Sequence, residues 1–237
     1  MTADPAAVLD AVAFTGNGIL VVAGLAFTFY ATQNYSLDRL EGHEDFWAYL
    51  TYLGLAVALV GVFGVASVLA GGRLVQAFGD LSLLFAIAFV AFSMREVYYA
   101  SALAPPPEER DIPLPTLRAI EFGFVLVVAV EWVVVVLLGE TTVTVVLRGL
   151  GALAFAAYGI AFSERLEALA HGTTVDTLRR HLVFVLVAAT GVAVSGLLGL
   201  VLPGAVAESV RYVFLVLLGG LLVPPTIRLQ QSVASIT

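Results

Sequence analysis

The residues best placed to do chemistry are ionisable groups inside apolar runs. Glu131 stands in "VLVVAVEWVVVVLL", with Val and Leu on both sides. Glu121 lies ten residues earlier in the same run. On a helix that spacing turns the two about 80° apart, so they line adjacent parts of one broad face. Asp80 follows "RLVQAFG", and Arg148 opens another apolar run. A charge in hydrocarbon is costly, so each such group must pair, bind a ligand or serve a proton or ion path. Asp80 is expected to pair with Arg148 or with Arg73, lining a vestibule or locking helices together. Glu131 is expected to face other helices, either in a functional pocket or in a single hydrogen bond.

A second group closes the run "AFSMREVYY". Arg95 and Glu96, with Tyr98 and Tyr99 beside them, read as an interfacial rim in which Arg95 snorkels toward water. The competing reading is a gate built from Arg95, Glu96, Glu121, Tyr158 and Glu164. Asn17, in "FTGNGIL", has an amide that needs partners and glycines on both sides. It completes a candidate pocket set of Asn17, Asp80, Glu121, Glu131 and Arg148. His43, His171 and His181 fall at the ends of runs and form no local pair of the H-x-x-H kind. They read as interfacial histidines, and no metal site is expected. No catalytic residue is assigned. An enzyme acting on lipid or isoprenoid would have only His43, Asp45, Glu96, Glu121 and His181 to work with, and their spacing matches no catalytic arrangement.

The elements that position these groups are apolar segments. Of 237 residues, 60% are hydrophobic and 12% charged. The mean hydropathy is +1.01. A soluble domain could not cover that much apolar surface. Segments of roughly 20 apolar residues are long enough to cross a bilayer. Seven are legible, at about 10–31, 47–70, 74–98, 117–138, 143–163, 182–202 and 208–228. The expected fold is therefore an all-α, single-domain, seven-helix transmembrane bundle. The β-branched run Val133 to Val136 remains helical because lipid forces the backbone to satisfy itself internally. Gly61 with Gly64 and Gly219 with Gly220 are expected to serve close helix packing. Pro224 and Pro225 are expected to end or kink the last helix.

Arginines set the expected orientation. Arg39, Arg95, Arg110, Arg118, Arg165, Arg179, Arg180 and Arg228 fall on one side, and Arg73, Arg148 and Arg211 on the other. The side richer in arginine is expected in the cytoplasm. That places the amino terminus outside and the carboxyl terminus inside, in a multi-pass cell-membrane protein. The loop "SALAPPPEERDIPLP" is expected to be stiff and extended. The opening "MTADPAAVLD" has no basic region and predicts a retained first helix rather than a signal peptide. The tail after Arg228 is short, so any signal is expected to leave through a separate membrane or cytoplasmic protein. Lipid is an expected partner and a homo-oligomer is compatible with the pattern. A nucleic acid is not expected, since no basic patch exists.

Spans one and five echo each other weakly. "GLAFTFYATQNYSLDRLE" and "ALAFAAYGIAFSERLE" share Ala-Phe, a following Tyr and a closing Arg-Leu-Glu. The echo suggests a parallel repeat, 10–98 and 143–228, joined by the helix 117–138. Its alternative is chance recurrence of common membrane residues.

The chain has no cysteine, and its eleven basic residues are all arginine against 18 acidic ones. Thiolate metal sites and cysteine nucleophiles are excluded. An acidic, lysine-free composition suggests a salt-adapted host or a GC-rich genome. The seven-span layout is similar to that of the microbial rhodopsins, but in topology alone. That family's retinal lysine belongs in the last helix, where "RYVFLVLLGGLLVPPTIRLQ" has none. Covalent retinal is excluded by the absence of lysine, and no other cofactor is assigned. The leading expectation is a sensory or regulatory role, ligand-responsive and independent of retinal. A small-solute or proton-coupled transporter or channel is the first alternative.

Overall fold

A computed structural model describes residues 5–37, 44–100, 112–170 and 174–236. Eight helices run through them: α1 (Pro5–Leu37), α2 (Glu44–Ala70), α3 (Arg73–Ala100), α4 (Leu114–Leu138), α5 (Thr142–Ala170), α6 (Thr174–Leu198), α7 (Gly204–Leu221) and α8 (Val223–Ile236). The last two form one apolar passage, giving seven helical spans long and apolar enough to cross a membrane.

The seven expected spans are all present, with one displaced. The sixth begins at Thr174 rather than near residue 182, and it ends at Leu198. The polar segment "TVDTLRR" is helical because Arg179 and Arg180 close ion pairs onto Asp176 one turn back. The apolar residues after Leu198 form a turn that leads to Pro203, the N-cap of α7. Pro224 and Pro225 do not simply end the last helix. They lie in the first turn of α8, where the missing N–H groups leave no hydrogen bond unmade. The expected extended loop at 101–111, His43 and His171 lie outside the described residues.

Short turns gather at one end of the bundle. Gly71 (φ +63°) and Gly72 (φ +108°) join α2 to α3, and Gly139 (φ +93°) follows α4. These left-handed conformations favour glycine. The α6–α7 turn lies at the same end, and α8 closes the opposite one. Six spans form a closed ring in the order α1, α2, α3, α5, α6, α7 and back to α1, with α3 also against α6. Helices α1 and α2 make the tightest pairing. A Cβ on Gly54 would stand 2.7 Å from the backbone nitrogen of Thr28, and one on Gly61 would stand 2.6 Å from the carbonyl oxygen of Asn17. Bare glycines here let the two backbones touch.

Helix α4 is outside the ring: among the described residues its backbone packs on α3 and α5, and at one end Arg118 also reaches Asp45 of α2. Its buried residues are Leu117, Glu121, Val128, Glu131 and Val135. They form one narrow stripe at three-, four- and seven-residue steps. Two of those five positions are glutamates. The rest of α4 is apolar and exposed, including Phe122, Leu126, Val130 and Leu137.

Candidate functional site

Each glutamate of α4 is held by an arginine of a different helix. At the short-turn end, Nη1 of Arg148 (α5) donates to Oδ2 of Asp80 (α3) at 2.6 Å, and Nη2 donates to Oε1 of Glu131 at 3.3 Å. Nη1 is also 3.0 Å from Oε1 of Glu140, in the α4–α5 turn. Arg211 of α7 approaches Oδ1 of Asp80 at 3.6 Å. The expected pairing of Asp80 therefore goes to Arg148. Arg73 instead lies beside Gly139.

At the opposite end, Arg95 (α3) is fully buried, at 0% exposure. Its guanidinium is 3.2 Å from Glu96 and 3.2 Å from Glu121, and it donates to Oη of Tyr49 at 3.4 Å. Oη of Tyr158 (α5) donates to Oε1 of Glu121 at 2.6 Å. Arg118 bridges Glu96 and Asp45 at the edge. The rim reading of Arg95 is thereby corrected. A lone arginine snorkels, but this one lies enclosed between two carboxylates and a phenol, with its Nε and Nη1 making no hydrogen bond among the described residues. Of the gate set, Arg95, Glu96, Glu121 and Tyr158 come together. Glu164 is exposed and lies apart.

The five candidate pocket residues do not converge. Asp80, Glu131 and Arg148 form one group, and Glu121 belongs to the other end. Fifteen residues of α3 separate Asp80 from Arg95, roughly 22 Å at 1.5 Å per residue. Asn17 lines a third place, a polar cavity of about 210 Å³ that also reaches Gln76, Glu208, Arg211 and Tyr212. Its amide donates to the carbonyl of Ala13 at 2.8 Å, and Gly64 makes room for its side chain. Arg211 links this cavity to Asp80.

Between the two ionic clusters the interior is apolar. Phe124 meets Phe155 at 4.3 Å, and Phe155 meets Phe92 at 5.7 Å. Ser82 and Ser93 donate to their own helix. The segments between the clusters on α3, α4 and α5 carry no ionisable residue. A lateral pocket of about 280 Å³ lies among these three helices, walled by Leu84, Phe124, Val128 and Leu147, with Gly151 leaving space. Among the described residues, Glu131 and Arg148 are its only charged lining residues.

Sequence reasoning missed a further cluster at the end that holds Arg95. Arg179 donates to Asp176 at 2.7 Å and to Oγ of Ser163 at 2.9 Å, joining α6 to α5. The three- and four-residue spacing in "DTLRR" carried the signal, but the segment reads as loop when spans are drawn by hydropathy alone. Tyr49, Glu140 and Arg211 were missed too. His181 bonds the carbonyl of Thr177 on its own helix through Nδ1, at 2.8 Å.

No protein-family model matches the sequence, and a search of curated proteins gives no match. What the site can do must be argued from its own geometry.

Proposed function

We propose that this is a ligand-responsive regulatory protein of the cell membrane, in which α4 is the reporting element and a separate protein receives the signal. The observation that carries the reading is the contact stripe of α4. In lipid, apolar side chains give no hydrophobic drive between helices, so packing and polar contacts hold them. Helix α4 packs on a narrow stripe, and its two buried glutamates fasten it, Glu121 to Arg95 and Tyr158 and Glu131 to Arg148. A ligand that alters one pair biases the position of a helix whose other face is open to a partner.

Transport is the second reading, and the polar cavity beside Asn17 favours it. The aromatic interior between the clusters weighs against a proton path along α3, α4 and α5. The reading is tested with purified protein in liposomes holding a pH-sensitive dye. Under an imposed proton gradient, dye response should equal that of empty liposomes, for the native chain and for Glu131→Gln alike. A protein-dependent flux that Glu131→Gln abolishes makes the chain a proton-coupled transporter instead.

The arginine distribution supports an amino terminus outside and a carboxyl terminus in the cytoplasm. Labelling of Thr141→Cys by an impermeant maleimide on intact cells tests this, and labelling only after permeabilisation reverses it. The acidic, lysine-free composition supports a salt-adapted host. A three-plus-one-plus-three repeat is supported by the paired contacts α1–α7 and α3–α5. The α3–α6 contact has no α2–α7 counterpart and breaks that symmetry.

A further inference from the structure

The polar cavity of about 210 Å³ lies at the short-turn end, bounded by α1, α2, α3, α6 and α7. Its polar lining is Asn17, Ser67, Gln76, Glu208, Arg211 and Tyr212. Gln76 and Glu208 are exposed, so the cavity meets water at this end of the bundle rather than lipid. Its volume is below the roughly 300–1,000 Å³ of sites for drug-sized ligands, so an occupant is a small solute.

Two lining groups have hydrogen-bonding capacity that the protein leaves open. Asn17 is 4% exposed, and its Nδ2 donates to Ala13 of its own helix, yet its Oδ1 accepts no hydrogen bond among the described residues. A Cβ on Gly64 would collide with this oxygen, so the glycine keeps its place free. Arg211 stands one turn along α7 from Glu208 and makes no hydrogen bond among the described residues. Its ion pair with Oδ1 of Asp80 is long, at 3.6 Å, and Asp80 is already bonded by Arg148 at 2.6 Å. A buried acceptor without a donor is costly. A guanidinium offers five N–H donors in a fork that fits a carboxylate.

Charge narrows the occupant. In the linked ionic groups, Asp80, Glu131, Glu140 and Glu208 outnumber Arg148 and Arg211. An anion would add to that negative excess. A plain cation would lower it, but would meet Arg211 and leave its donors open. A zwitterion leaves the net charge as it is. Its carboxylate suits Arg211, and its ammonium, a donor only, suits Asn17 Oδ1. Glu208 makes no ion pair among the described residues and is a second acceptor at the rim.

We propose that this cavity binds a small α-amino acid as its zwitterion, the carboxylate accepting from Arg211 and the ammonium donating to Asn17. Binding draws Arg211 from Asp80, whose other partner, Arg148, holds Glu131 of α4. The site rests on the ligand-responsive reading in that step alone, where it names the ligand that reading requires.

Isothermal titration calorimetry of the full chain in lipid nanodiscs, near neutral pH, tests the site with alanine, which should bind saturably. Propionate lacks the ammonium, ethylamine lacks the carboxylate, and lactate has a hydroxyl in place of the ammonium. Each should bind at least about tenfold more weakly, the loss of one hydrogen bond to a charged group. Arg211→Gln and Asn17→Ala should each weaken alanine by a similar factor. If Arg211→Gln does not fold, its combination with Asp80→Asn keeps the local net charge, and the analogue series needs no variant. No saturable heat with alanine, equal binding of any analogue, or unchanged affinity in the variants each overturns the proposal. Site and reading fail separately. Saturable binding that leaves α4 where it was keeps the site and sinks the regulatory role. Accumulation of alanine inside liposomes keeps the site and makes the chain a transporter.

Discussion

At the scale of single residues, Arg95 is the most demanding group in the chain. It is fully enclosed and depends on Glu96, Glu121 and Tyr49. Removing it leaves two buried carboxylates facing each other. Arg95→Met should therefore lower stability by about 3–5 kcal/mol, the usual cost of breaking a buried pair on one side. Combining it with Glu96→Gln and Glu121→Gln should recover most of that loss, because no uncompensated charge remains. Denaturant unfolding in mixed micelles measures both, and equal losses in the single and triple variants would show that Arg95 acts through packing instead. The sequence narrowed the partner of Asp80 to Arg148 or Arg73, since all three fall near the same end of their spans, and the packing of α3 on α5 selects Arg148. The burial of Arg95 was not, because snorkelling is inferred for a charge considered alone and its partners come from α2 and α4. The grouping of Asn17 with Asp80 and Glu131 also failed, because depth in a span says nothing about which side of the bundle a residue faces.

At the scale of elements, glycine decides how helices meet. Gly54 faces backbone: a Cβ there would stand 2.7 Å from Thr28 nitrogen and 2.9 Å from the Gly24 carbonyl oxygen. No side-chain movement relieves such a contact. Gly220, by contrast, has open space where its Cβ would be. Gly54→Val should abolish the monodisperse peak in size-exclusion chromatography, while Gly220→Val should leave it unchanged. A folded Gly54→Val protein would mean that α1 and α2 can separate without loss of the bundle. The sequence reading paired Gly61 with Gly64 and Gly219 with Gly220 as packing residues. Gly61, Gly64 and Gly219 do face neighbours and Gly220 does not, because adjacent positions on a helix point about 100° apart. Span positions were readable from hydropathy wherever lipid dictates length. The start of α6 was not, since there ion pairs within the helix, rather than apolar content, extend it.

At the scale of the molecule, six spans close on themselves and the seventh does not. Hydropathy cannot reveal this, because α4 is as apolar as its neighbours and the difference lies in what its side chains touch. The two glutamates were noticed as deep carboxylates on a broad face. Their place on the only buried stripe of α4 makes them its attachment. Each arginine has a second carboxylate in the ring itself, Glu96 for Arg95 and Asp80 for Arg148. Separation of α4 would leave both ring arginines with a carboxylate, as the proposed reporting role of α4 requires.

The most direct test is a distance measurement by pulsed electron paramagnetic resonance between spin labels. The chain has no cysteine, so labels go only where they are placed. One pair, Val130→Cys with Leu59→Cys, spans α4 and α2; a reference pair, Val187→Cys with Leu59→Cys, spans α6 and α2. All three positions are exposed. With Glu121→Gln and Glu131→Gln together, the α4 distance should lengthen or broaden while the reference distance stays as it was. An unchanged α4 distance would contradict the account, because α4 would then be fixed by packing and could report nothing.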